Sequence, residues 1–183
     1  ALALLVLAVA LSGLGRRERA GRAVGRGLSV AVSVLAAVVA VAASVQVVLV
    51  TPYTAACTGL AKRCLEISNR WTRSRVQWGQ PIGRHGAIAG KLARMAANTF
   101  AMESATLYVS ALVDRDKSAD VRLEAAMAKL WGSERAWEII DDTMQIRGGR
   151  GYETADSLRA RGEKPIPVER AVRDFRVNLI LEG

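Results

Sequence analysis

From Ala55 to Leu181 the apolar residues recur at three- and four-residue steps, and no stretch alternates polar with apolar side chains as a half-buried strand does. A chain with that period buries its apolar stripes as helices, and the breaks in the pattern count them. A first helix is predicted over Ala55–Gly79, with Leu60, Cys64, Ile67, Trp71 and Trp78 in register and Pro81 and Gly83 ending it. A second is predicted over His85–Asp114, with Ile88, Leu92, Met95, Met102, Val109 and Val113 on one face, before a polar turn over Asp114–Asp120. A third, Val121–Ile146, is expected to turn Leu123, Met127, Leu130, Trp137, Ile140 and Met144 inward. Gly148, Gly149 and Gly151 stop it, because glycine takes the left-handed conformation that closes a helix end. Pro167 suits the first turn of a fourth helix ending near Leu181. The expected fold is all-α: an antiparallel four-helix bundle over 55–183, preceded by an apolar helical arm over 1–54.

The arm has a different character. Leu28–Val50 is 23 uncharged residues, ten of them valine, and it follows Arg16, Arg17, Arg19, Arg22 and Arg26. Length and flanking charge meet the requirements for a membrane span with a basic cytoplasmic side. A low-complexity or wrongly framed translation, with no native partner for residues 1–54, reads equally well from the dominance of Ala, Val, Arg and Gly. Ala1–Leu14 could be a second short apolar segment or a signal-peptide core. No initiating methionine precedes it, and the chain is expected to be a fragment.

The formal net charge of +9 favours anionic partners. Five of the arginines and a single glutamate lie in residues 1–27, so much of that charge belongs to the arm. No segment interleaves aromatics with clustered Lys and Arg, and no nucleic-acid partner is expected. Cys57 and Cys64 are the only cysteines. On one helix they stand roughly 10 Å apart, beyond the reach of about 7 Å that a disulfide needs. They read as reduced thiols of a cytoplasmic protein, and neither has a metal-ligand neighbour at the right spacing, so no metal site is expected.

The run Arg75-Val76-Gln77-Trp78-Gly79-Gln80-Pro81-Ile82 resembles a signature of the acyl-CoA dehydrogenase family, with Trp78 in place of the usual phenylalanine. The resemblance continues through Lys91–Ala96, Ala128-Lys129, Asp141-Asp142, Gln145-x-x-Gly148-Gly149-x-Gly151-Tyr152, Glu169-Arg170-x-x-Arg173-Asp174 and Leu181-Glu182-Gly183. These motifs follow in the family order over about residues 55–183. The resemblance implies the family's carboxy-terminal helical domain, part of a flavoenzyme that oxidises acyl-CoA thioesters to enoyl-CoA. Glu182 matches the base that removes the α-proton, with FAD as hydride acceptor. Arg75 matches a residue that contacts the FAD pyrophosphate across a subunit interface, a task suited to a guanidinium fork. Gln77 and Trp78 lie beside it. Gln145, Gly148 and Gly149 match positions around the partner subunit's FAD, and His85 matches a position lining the flavin region.

The resemblance further implies an acyl-CoA substrate, an electron-transfer flavoprotein as electron acceptor, and a homo-oligomer sharing its flavin sites. Arg173 and Asp174 are expected to pair within the bundle. The family's amino-terminal helical and middle β domains have no counterpart in the sequence, and Asp156–Pro165 reads as an extra loop. By itself the chain is therefore expected to lack dehydrogenase activity. A membrane-anchored helical interaction module without catalysis is the competing reading, with Leu28–Val50 as its anchor.

Overall fold

The computed structural model describes the backbone of residues 21–181 and the side chains of residues 31–39 and 52–180. Glu182 lies outside the described residues. The chain divides into two compact units, residues 1–45 and 46–183. In the first unit the backbone is helical from Gly21, within a helix α1 that runs Gly21–Ser74 and contains Pro52. Its described side chains, Val32, Val34, Leu35, Val38 and Val39 among them, are exposed. Among the described residues no helix is long and apolar enough to cross a membrane. Most of Leu28–Val50 lies outside the residues whose side chains are described.

In the second unit, α1 is followed by a two-stranded hairpin, β1 (Val76–Gln77) and β2 (Gln80–Pro81), and a 3-10 turn over Ile82–Arg84. Then come α2 (Gly86–Arg115), α3 (Arg122–Arg147), two short helices α4 (Gly149–Tyr152) and α5 (Ala155–Ala160), and α6 (Val168–Leu181). The fold is all-α, and the four long helices share one core. Cys57, Ala61 and Cys64 of α1 meet Met95 and Met102 of α2, Ala136, Ile139, Ile140 and Ile146 of α3, and Phe175 of α6. Burying side chains as large as Met95 or Ile140 stabilises the fold by about 1.5–3 kcal/mol each. A smaller cluster of Val109, Val121, Ala125 and Ala128 closes the α2–α3 end. Asp142, almost fully buried on α3, accepts hydrogen bonds from Lys91 and from Arg94 Nη2 at 2.7 Å, and so ties α2 to α3. Both cysteines are buried and free, as their spacing implied.

The inward face of α2 runs through Met95, Met102 and Val109 as the period predicts. That of α3 does not run as predicted. Leu123 and Met127 are 70% and 62% exposed, and Leu130 also faces outward. The buried stripe instead carries Ala125, Ala128, Gly132, Ser133, Ala136, Ile139, Ile140 and Thr143. Small residues let neighbouring helices approach closely, and a search for large apolar residues passes over them. The first helix also stops earlier than predicted, at Ser74, so Trp78 leaves the helical stripe for the hairpin. Arg173 and Asp174 do not pair with each other. Each meets a residue four positions earlier, Arg173 with Glu169 at 2.7 Å and Asp174 with Arg170 at 3.3 Å. Adjacent helical residues diverge by about 100° around the axis, whereas residues four apart share a face.

Candidate functional site: a cleft between the hairpin and the end of α3

The hairpin is set by a two-residue turn. Val76 pairs with Pro81 and Gln77 with Gln80, leaving Trp78 and Gly79 to reverse the chain. Their φ angles are +49° and +78°. Positive φ at both central residues marks the primed turn whose twist matches that of the flanking strands. Gly79 adopts it freely. Trp78 does not: a bulky side chain in this region costs on the order of 1–3 kcal/mol. The indole gains little burial in return, being 86% exposed. His85 braces the turn from below. Gln80 Nε2 donates to His85 Nδ1 at 3.2 Å, and His85 Nε2 donates to the Gln77 carbonyl at 3.2 Å. The imidazole also meets Trp78 edge to face, with ring centroids 5.3 Å apart. Both ring nitrogens are thus occupied, and His85 acts as a positioning residue for the hairpin.

Opposite stands the carboxyl end of α3, where three glycines have three separate reasons. Gly148, at φ +58°, caps the helix, its N–H donating to the Met144 and Gln145 carbonyls at 3.0 and 3.1 Å. Gly149 borders open space, and a Cβ there meets nothing within 4 Å. Gly151 is packed: a Cβ would come within 2.6 Å of the Met144 carbonyl oxygen. Arg150, which also lines the cleft, reaches into the following segment, where its Nε donates to Glu163 at 2.9 Å and its Nη1 to Glu153 at 2.9 Å.

Between these edges lies a cleft of about 600 Å³, lined by Arg75, Gln77, Trp78, His85, Gln145, Gly148 and Gly149. All seven cofactor residues expected from the sequence therefore face one space, although they come from segments about 60 residues apart. The guanidinium of Arg75 is exposed and has no ion-pair partner among the described residues. Trp71 and Arg147 are among the further lining residues that went unassigned in the sequence. Arg147 is 6% exposed, its guanidinium carbon 4.9 Å from the centre of the Trp71 ring. Burial pulls its pKa below the usual arginine value, with Glu163 opposing that shift and Arg150 adding to it. Its place inside the Gln145–Gly151 motif was the available signal. Among the described residues no cluster of His, Cys, Asp and Glu could hold a metal ion.

Comparison with known proteins locates this architecture. Residues 52–183 match the profile of the family described as "Acyl-CoA dehydrogenase, C-terminal domain". The Mycobacterium bovis protein named "Probable acyl-CoA dehydrogenase FadE10" is 50% identical over 129 residues, covering 70% of this chain and 20% of that protein. A crystal structure of acyl-CoA dehydrogenase complexed with FAD from Bacillus anthracis superposes with a TM-score of 0.63 at 30% identity, covering 75% of this chain and 25% of its own. A structure described as the electron transferring flavoprotein of Acidaminococcus fermentans gives a TM-score of 0.61 at 29% identity, covering 73% of this chain and 32% of that one. The chain thus spans about a fifth of the length of the curated relatives it matches. It belongs to the acyl-CoA dehydrogenase family, whose C-terminal domain its residues 52–183 match.

Proposed function

We propose that this chain supplies the C-terminal helical part of an FAD-dependent acyl-CoA dehydrogenase, with residues 55–183 as the working unit and 1–54 as a separate arm. The observation that carries the reading is the convergence of Arg75, Gln77, Trp78, His85, Gln145, Gly148 and Gly149 on one cleft of about 600 Å³. The donor set fits a dinucleotide. Arg75 offers an uncommitted fork for pyrophosphate oxygens. Gln145 is exposed at the rim, and Gly149 lets a ligand approach the backbone without meeting a side chain. Trp78 presents an uncovered aromatic face.

When bound, FAD supplies the hydride acceptor for α,β-dehydrogenation of an acyl-CoA thioester. Glu182, the residue after the end of α6, takes the α-proton. A carboxylate in apolar surroundings is a stronger base than one in water, which suits that role. His85 and Gln80 hold the Trp78 turn in place, and Arg75 and Gln145 orient the cofactor. Electrons pass onward to an electron-transfer flavoprotein. Exposed apolar residues such as Phe100, Leu107, Leu123 and Met127 support a second subunit sharing the site. The free cysteines support a cytoplasmic location.

Titration of residues 1–183 with FAD, followed by quenching of tryptophan fluorescence, tests the cleft. A saturable quench that weakens about tenfold in Arg75→Gln is expected; equal quenching in wild type, Arg75→Gln and Gln145→Ala sinks the reading. Because the chain spans about a fifth of its relatives, residues 1–183 alone are expected to show no octanoyl-CoA-dependent dye reduction.

A further inference from the structure

Arg147 faces two spaces. Besides the large cleft, it lines a cavity of about 150 Å³ with Arg63, Arg70, Trp71 and Lys164. Trp71 and Arg147 line both, and so form the wall between them. The small cavity collects positive charge. Arg63 and Arg70 share one carboxylate, Glu66, at 2.6 and 2.5 Å. Lys164 has no hydrogen bond or ion pair among the described residues, although its charge is felt at Glu66. Four cations thus line it, with Glu66 shared by two of them and Glu163, itself paired with Arg150, felt at Arg147. Arg147 Nε is buried with no hydrogen-bond partner. Stacking on Trp71 and the negative end of α3 favour its charge, yet neither gives that N–H an acceptor. Leaving such a donor unmet costs on the order of 1–3 kcal/mol.

We propose that this cavity is an oxyanion site for a phosphate group, held by Arg147 and Lys164 with Arg63 and Arg70 at its rim. A tetrahedral oxyanion has acceptors on every side, as a ring of guanidinium and ammonium donors requires. The cavity's volume of about 150 Å³ suits a phosphate group. Occupancy fixes Arg147 against Trp71 and thereby sets the wall of the larger cleft. The proposal does not rest on the flavin reading.

The test is a titration of residues 1–183 with inorganic phosphate at constant ionic strength, read by tryptophan fluorescence and by the shift in melting temperature. We expect saturable binding, absent with chloride, and weakened at least about tenfold in both Lys164→Gln and Arg147→Gln. Lys164 is exposed, so Lys164→Gln keeps the test valid if Arg147→Gln fails to fold. Arg75→Gln, which touches only the larger cleft, is expected to leave phosphate binding intact. Phenyl phosphate separates the two sources of the ligand. Binding of both probes assigns the site to a phosphate carried on a larger molecule, and binding of inorganic phosphate alone assigns it to the free anion. Three outcomes overturn the proposal: no response beyond the chloride control, wild-type affinity in Lys164→Gln, or loss of binding through Arg75→Gln. Phosphate binding without FAD binding would leave this site standing and remove the flavin reading; the reverse result does the opposite.

Discussion

The two sides of the carboxyl end of α3 are built on opposite terms. On the inner side, Thr143 bonds the Ile139 carbonyl at 2.7 Å, Ile146 sits in the core, and Gly151 presses on the Met144 backbone. On the cleft side, Gln145, Gly148 and Gly149 are exposed, and the facing turn holds Trp78 at a positive φ with its ring in solvent. The inner side is closely packed. The cleft side is not, with a strained tryptophan and bare glycines beside open space. Strain retained without a packing gain fits the ligand surface proposed above.

Substitution can break that contrast, beginning where the effect is largest. Gly151→Ala drives a methyl into backbone with no room to yield, and a loss of about 3 kcal/mol in urea denaturation is expected. A change under about 0.5 kcal/mol would show that the contact relaxes easily. Cys64 sharpens the inner side through pH. Desolvation pushes its thiol up to about 11, with Thr143 and Arg63 opposing the shift. The folded chain therefore keeps the proton to about pH 11, while the unfolded chain releases it from about pH 8.5. The stability tied to this thiol is complete below that lower value and is lost as pH rises towards 11, by roughly 3 kcal/mol. Denaturation curves of wild type minus Cys64→Ala, measured from pH 7 to 11, should trace that loss; parallel curves would refute it.

On the cleft side the signs reverse. Trp78→Gly removes a strained residue from the turn, and a gain of about 1 kcal/mol in stability is expected together with weaker FAD binding. A destabilised variant would mean that the indole serves the fold. Gly149→Ala is the mildest change. It is expected to alter stability by less than about 0.5 kcal/mol yet reduce the FAD-dependent quench, and an unaltered quench would place the ligand away from this backbone.

Much of this architecture was legible because helices write their buried faces at a fixed period. Met95, Met102 and Val109 could be read from α2 alone. On α3 the same rule pointed outward, since Ala, Gly and Ser occupy its inner stripe while Leu123 and Met127 face out. Periodicity registers size as well as polarity, and a helix packed through small residues hides from it. The hairpin was missed for another reason. Two-residue strands leave no alternation to detect, and the Trp78-Gly79 pair lacks the Asn or Asp that usually opens such a turn. The cleft residues were legible only through the family resemblance that their motifs carry. Their meeting on one surface, and the place of Arg147 behind them, depended on where α1 ends and could not be counted along the chain.

The segment after the glycines is anchored at one buried point. Leu158 of α5 is fully buried, while Arg150 holds Glu153 at one end of the segment and Glu163 at the other, and Arg161 adds a contact to Glu153 at 3.0 Å. The chain thus leaves the site and returns through nearly the same spot. Residues hung between two such points can be lengthened, shortened or nicked without moving the ends, because loop closure depends only weakly on length. The exposed stretch after Leu158, residues 159–162, is the natural place for a peptide tag or a protease site that reports on the domain.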